Sequence, residues 1–170
     1  NCPGMVGRYV GMVDGLTYFT YHPTFSNPQA NNDQRGDLHA YNPANDTIYL
    51  VSSHNNFVKT AVIVGRTIYI ATATSLSTYG GSTSFFAYNV DNQTTWALPA
   101  PAGGGASQLM VVGTKIFNYV ATSALPVDIS PQVFSTENGT WYTVPSLPAK
   151  WLFGDPAGGL VSNGQLLFIG

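Results

Sequence analysis

Three short segments carry an asparagine followed two residues later by threonine: Asn45-Asp46-Thr47, Asn92-Gln93-Thr94 and Asn138-Gly139-Thr140. None has proline in the middle, so each satisfies the acceptor pattern for N-linked glycosylation. In each the middle residue differs while asparagine and threonine stay. Asparagine also favours tight turns, because it tolerates left-handed backbone, and threonine favours the strand that follows. The expected reading is therefore double: Asn45, Asn92 and Asn138 are turn residues that also carry sugars.

Other side chains with chemical capacity are few and scattered. The histidines are His22, His39 and His54, and no two have a spacing that ligates metal from one element. A glycosidase needs a cooperating carboxylate pair. Asp46, Asp91 and Glu137 belong to the equivalent turns of separate units, and Asp33, Asp37, Asp128 and Asp155 fall on the loop face, in no motif that holds calcium or a sugar. No nucleophile elbow, phosphate-binding loop or dinucleotide loop occurs, and Gly103-Gly104-Gly105 reads as a linker. Arg35-Gly36-Asp37 has the composition of an adhesion tripeptide but reads as a turn into a strand. The expectation is no catalytic residue, no metal and no cofactor beyond N-linked glycans. Cys2 is the one cysteine, a candidate for a disulfide to another chain.

The bulk composition excludes several classes. Only 8% of the 170 residues are charged and the net charge is −2. Six Lys and Arg residues, dispersed singly, make no basic patch for nucleic acid. No apolar run approaches the ~20 residues a membrane-spanning helix requires, so no membrane insertion is expected. Low charge and abundant Thr, Ser, Asn and Tyr suit an extracellular, secreted glycoprotein. The chain begins NCPG without an initiator methionine and ends in the apolar run QLLFIG, so it is read as a processed product or a piece of a longer chain.

The elements that would position these groups repeat. "VGMVDGLTYF", "AVIVGRTIYI", "LMVVGTKIFN" and "GLVSNGQLLF" recur at intervals of about fifty residues. Each is an apolar run, a glycine turn and a second run, with Gly15, Gly65, Gly113 and Gly164 aligned as the turn glycines. Between them "LHAYNPANDTIYLV", "SFFAYNVDNQTTWAL" and "QVFSTENGTWYTV" each read strand, turn, strand, with Tyr41, Tyr88 and Phe134 at equivalent places. No segment keeps a helical apolar period, and Gly and Pro are frequent. The first strand of each unit is nearly all apolar and should be buried on both faces. The prediction is all-β: four antiparallel strands per unit, three complete units at about 5–53, 58–98 and 106–145, and a half unit at 158–170.

This pattern resembles the kelch-type, galactose-oxidase-like β-propeller. The resemblance rests on Tyr88, Trp96, Pro99 and Pro101 in one unit, on Trp141, Pro145 and Pro148 in the next, and on a final hairpin reaching Gly170. "YFTYHP", "IYIATA" and "IFNYVA" stand where the family carries a double glycine. The family includes copper radical oxidases, whose site needs histidine, tyrosines and a cysteine–tyrosine pair; Cys2 is in no matching context, and no catalytic residue carries over.

In an up-and-down blade the first and third turns share one end, so the three asparagines should crowd one face. The opposite face should hold the longer loops, where a glycan or cell-surface ligand would bind, with Tyr79, Trp151 and Phe153 as candidate stacking aromatics. Three and a half blades leave open faces and edges. The expected partners are copies of the chain itself or the remainder of a longer one, and self-assembly into a coat or filament is one expected role. The alternatives are a piece of a larger kelch-domain enzyme and a carbohydrate-binding module.

Overall fold

A computed structural model describes residues 5–23, 36–74, 83–101, 108–119, 132–144, 159–162 and 165–168, with side chains for 8–20, 36–74, 83–101, 109–118 and 132–144. Among these residues there is no helix. The first sheet is β1 (Met5–Val13), β2 (Leu16–Pro23), β3 (Gly36–Asn42) and β4 (Thr47–His54). The second is β5 (Phe57–Val64), β6 (Thr67–Ala73), β7 (Thr83–Asn89) and β8 (Thr94–Leu98). The third is β9 (Gln108–Val112), β10 (Lys115–Tyr119), β11 (Gln132–Ser135) and β12 (Thr140–Thr143), and β13 (Gly159–Ser162) pairs with β14 (Gln165–Phe168). Every sheet is a meander in sequence order, antiparallel throughout.

The first strands neighbour one another in series: β1 lies by β5, β5 by β9, and β9 by β13. The sheets fan out from this inner row, leaving β4, β8 and β12 outermost. Strand alternation then fills the gaps between sheets. The first gap holds Val13, Tyr18, Leu38 and Ala40 from one sheet against Val58, Ile68, Ile70 and Tyr88 from the next. The second holds Tyr69, Ala71, Phe85 and Ala87 against Leu109, Ile116 and Phe134.

Burial differs from the expectation for the first strands. β5 does pack on both faces: Ala61 and Ile63 reach the first cluster, Val62 and Val64 the second. All four are only half-buried. The deepest strand is β6, buried from Ile68 through Ala73, because it alone of the pair has hydrogen-bonded neighbours on both edges as well as sheets on both faces.

The hairpins correct the glycine alignment. In the first sheet Val13 pairs with Leu16 around Asp14-Gly15, and both turn residues are left-handed, at φ 51° and 77°. That is the pattern of a type I′ turn. In the second and third sheets the turns are Gly65-Arg66 and Gly113-Thr114, and only the first residue of each has positive φ. Gly15 is thus a second turn residue while Gly65 and Gly113 are first ones. Gly164 lies outside the described residues.

Candidate functional site

The three acceptor asparagines sit in equivalent four-residue connections, flanked by the pairs Asn42↔Thr47, Asn89↔Thr94 and Ser135↔Thr140. All three asparagines are exposed. In each, the threonine hydroxyl donates to the asparagine Oδ1: Thr47 to Asn45 at 2.6 Å, Thr94 to Asn92 at 2.6 Å and Thr140 to Asn138 at 2.7 Å. The backbone N–H groups of Thr94 and Thr140 donate to the same oxygens at 3.2 Å. These are Asx-turn bonds, in which the side chain stands in for a backbone acceptor.

This geometry corrects the expected role of asparagine. The left-handed residue is the middle one: Asp46 at φ 54°, Gln93 at φ 56° and Gly139 at φ 69°. Asparagine serves as acceptor, not as the residue that tolerates positive φ. Threonine has a bond to make, so its recurrence has a structural cause besides any sugar. These hydrogen bonds fall on Oδ1 and not on the amide nitrogen, the atom that would be glycosylated.

The two kinds of turn do share one end of the sheets. Arg66, in the turn before β6, donates through Nε to Asp91, in the turn before β8. It also forks onto Asp14 of the first sheet, through Nη1 at 2.9 Å and through Nη2. The guanidinium holds the Asp14 carboxyl below its ordinary range. In the third sheet Thr114 replaces the arginine and donates to Glu137 at 2.9 Å, with Lys115 nearby at 3.6 Å; both hold Glu137 low. Asp46 accepts from the Tyr41 hydroxyl at 3.0 Å, and Asp37 from Ser53 at 2.7 Å. Every described carboxylate thus has a structural partner, and among the described residues no group of three His, Cys, Asp or Glu side chains could hold a metal.

The two histidines with described side chains, His39 and His54, do not converge. His39 stacks on Phe19 with ring centroids 5.6 Å apart, on the face of the first sheet turned from the second. His54 is buried at the opposite end from the asparagines, 4.8 Å from the Phe86 ring, with Nε2 3.1 Å from Ser52 Oγ. Burial lowers its affinity for a proton, and Asp37 partly restores it. The Ser52–His54 contact was not legible in the sequence; it arises because alternate residues share a strand face. The side chain of His22 is not among those described. Gly36 is buried and its N–H bonds Asn56 O at 3.0 Å, so the Arg35-Gly36-Asp37 tripeptide enters the sheet at its glycine; Arg35 lies outside the described residues. Cys2, Tyr79, Trp151 and Phe153 also lie outside them, as do most of the long loops.

The two described tryptophans, Trp96 and Trp141, are not equivalent. Trp141 pairs with Phe134 and sits 5.2 Å from the rings of Phe85 and Phe134, its Nε1 donating to Pro99 O at 2.7 Å. Trp96 pairs with Ala87, one register step further along its strand, and is exposed on the other face. The position matching Trp141 is held by Thr95 and by Ile48, which pair with Tyr88 and Tyr41.

Among the described residues, one face of the first sheet has no sheet packed on it. Ile68, Ile70 and Tyr88 of the second sheet are covered by the first, and Ile116 and Phe134 of the third are covered by the second. The corresponding face of the first sheet exposes Tyr9, Met12, Ile48 and Leu50. Register places them together: Tyr9, Phe19, His39 and Leu50 form one cross-strand row, and Met12, Thr17, Tyr41 and Ile48 the next.

No family model matches the chain, and no curated protein matches it in sequence. Solved structures do resemble it. One is the crystal structure of the tricorn protease, at TM-score 0.57 and 16% identity, covering 82% of this chain and 13% of that one. The likeness shows the fold: an all-β chain of β-propeller type, made of three four-stranded antiparallel sheets and a further hairpin.

Proposed function

We propose that the chain is a secreted, N-glycosylated, non-catalytic protein of the kelch-like kind, with a structural role exercised by association of copies. The observation that carries this reading is the threefold recurrence of an exposed Asn-x-Thr at one turn, on one end, with the asparagine Oδ1 held by its threonine.

The open face of the first sheet supports association. It is an apolar surface of the kind that sheet stacking covers twice within the chain: its two rows, Tyr9–Phe19–His39–Leu50 and Met12–Thr17–Tyr41–Ile48, contain no Lys, Arg, Asp or Glu, and the nearest carboxylate, Asp37, is in the next row of the same face. A second copy offering the opposite end of its own row of sheets would cover it, and a head-to-tail contact of this sort extends into a filament when it does not close. Strand addition at the β13–β14 hairpin is a second route to the same assembly.

The test is expression in a secreting eukaryotic cell. The secreted protein should lose mass on treatment with an amidase that removes N-linked sugars, and should sediment as concentration-dependent oligomers. Tyr9→Lys with Leu50→Lys should return it to monomer. A monodisperse monomer at high concentration would overturn association. Turnover of a sugar or alcohol by the purified protein would overturn the non-catalytic reading and favour a piece of a larger enzyme.

A further inference from the structure

In all three units the fourth residue after the acceptor asparagine is a large aromatic: Tyr49 after Asn45, Trp96 after Asn92 and Tyr142 after Asn138. These rings are 42%, 41% and 43% exposed, an agreement that three unrelated surface aromatics would not show. Each lies on an outermost strand, directly opposite a fully buried small or branched residue: Ala40, Ala87 and Val133. Each also lies two residues beyond the threonine that bonds the asparagine. Alternation puts threonine and aromatic on the same strand face, about 6.7 Å apart along the strand. The threonine hydroxyl holds Oδ1, which ties the asparagine side chain to the threonine on that same face.

We infer that Tyr49, Trp96 and Tyr142 are stacking platforms for the first N-acetylhexosamine linked to Asn45, Asn92 and Asn138. A pyranose has an apolar face of axial C–H groups, which suits the negative face of an aromatic ring, while its hydroxyls stay in water. The sugar would cover a ring that the fold leaves half bare and would shield the unpaired edge of each outer strand. The inference rests on the glycosylation reading above and names what the sugar touches.

The experiment uses the secreted protein carrying Asn45→Asp and Asn138→Asp, so that only Asn92 bears sugar, trimmed enzymatically to its core residue. Proton NMR should show the N-acetyl methyl of that residue shifted upfield, with cross-peaks to the Trp96 ring. Both signals should vanish in Trp96→Ala. Removing the sugar should raise the unfolding equilibrium constant severalfold in the Trp96 parent and leave it unchanged in Trp96→Ala. A sugar present on Asn92 with an unshifted methyl and no such cross-peaks overturns the platform and leaves glycosylation standing. An unmodified Asn92 overturns both.

Discussion

The two gaps between sheets are filled by the same architecture but by different chemistry. The first, between β1–β4 and β5–β8, is mainly aliphatic, with Leu38, Val58, Ile68 and Ile70 between two tyrosines. It is closed at one end by the Arg66 fork and at the other by buried His54. The second, between β5–β8 and β9–β12, is an aromatic cluster. Phe85 and Phe134 meet edge to face at 5.1 Å, Tyr69 lies 5.9 Å from Phe134, and Trp141 leans on both phenylalanines. One alternating strand, β6, feeds both: Ile68 and Ile70 point one way, Tyr69 and Ala71 the other. A four-stranded unit can therefore stack through either filling, provided that alternation delivers apolar groups to both sides. Charge then matters only at the ends.

Breaking the aromatic gap should cost most. Phe134→Ala removes a fully buried ring that three other aromatics touch and should lose about 3–5 kcal/mol in urea unfolding. Gly36→Ala should come next, through the entry to the first gap. A methyl there would sit 2.2 Å from Val58 N and 2.8 Å from Asn56 O, both backbone atoms that cannot swing aside. The expected loss is about 1–3 kcal/mol, as in overpacked cores. Trp141→Phe keeps a ring in the aromatic gap but drops the bond to Pro99 O. Calorimetry should find it weaker by about 0.5–1.5 kcal/mol.

These sites show how far the sequence was legible. Strand order, the fourfold unit and the shared end of the turns follow from alternating apolar runs and Gly or Asn punctuation, signals that are local. What was not legible was register. Both central positions of a two-residue hairpin accept positive φ, so Asp14-Gly15 and Gly65-Arg66 look alike as glycine turns yet differ by one step. The same one-step slip moves Trp96 and Trp141 to opposite faces. The division of labour in the Asn-x-Thr turns was hidden because asparagine and its successor can each adopt left-handed backbone; only the threonine bonds show which does. The Arg66 fork joins residues far apart in sequence, and nothing local announces it.

Smaller effects sharpen the same contrast. His54 binds a proton less readily folded than unfolded. The unfolded chain therefore takes up more protons below its ordinary pKa of 6.5, and stability should fall as pH drops through and below that value. His54→Gln should flatten this slope, while a lesion in the aromatic gap should leave it intact; unfolding curves between pH 7 and 5 would show it. Arg66→Ala should do least. Its partners are exposed, and any destabilisation should disappear at high salt.

The central claim is that one turn, used three times, both closes its unit and presents a sugar. The most direct measurement is site-resolved peptide mass spectrometry of the secreted protein after amidase treatment in heavy-oxygen water. Conversion of Asn45, Asn92 and Asn138 to labelled aspartate is the predicted result. Three unmodified asparagines would contradict it and leave the Asx-turn bonds as the whole reason for the repeated Asn-x-Thr.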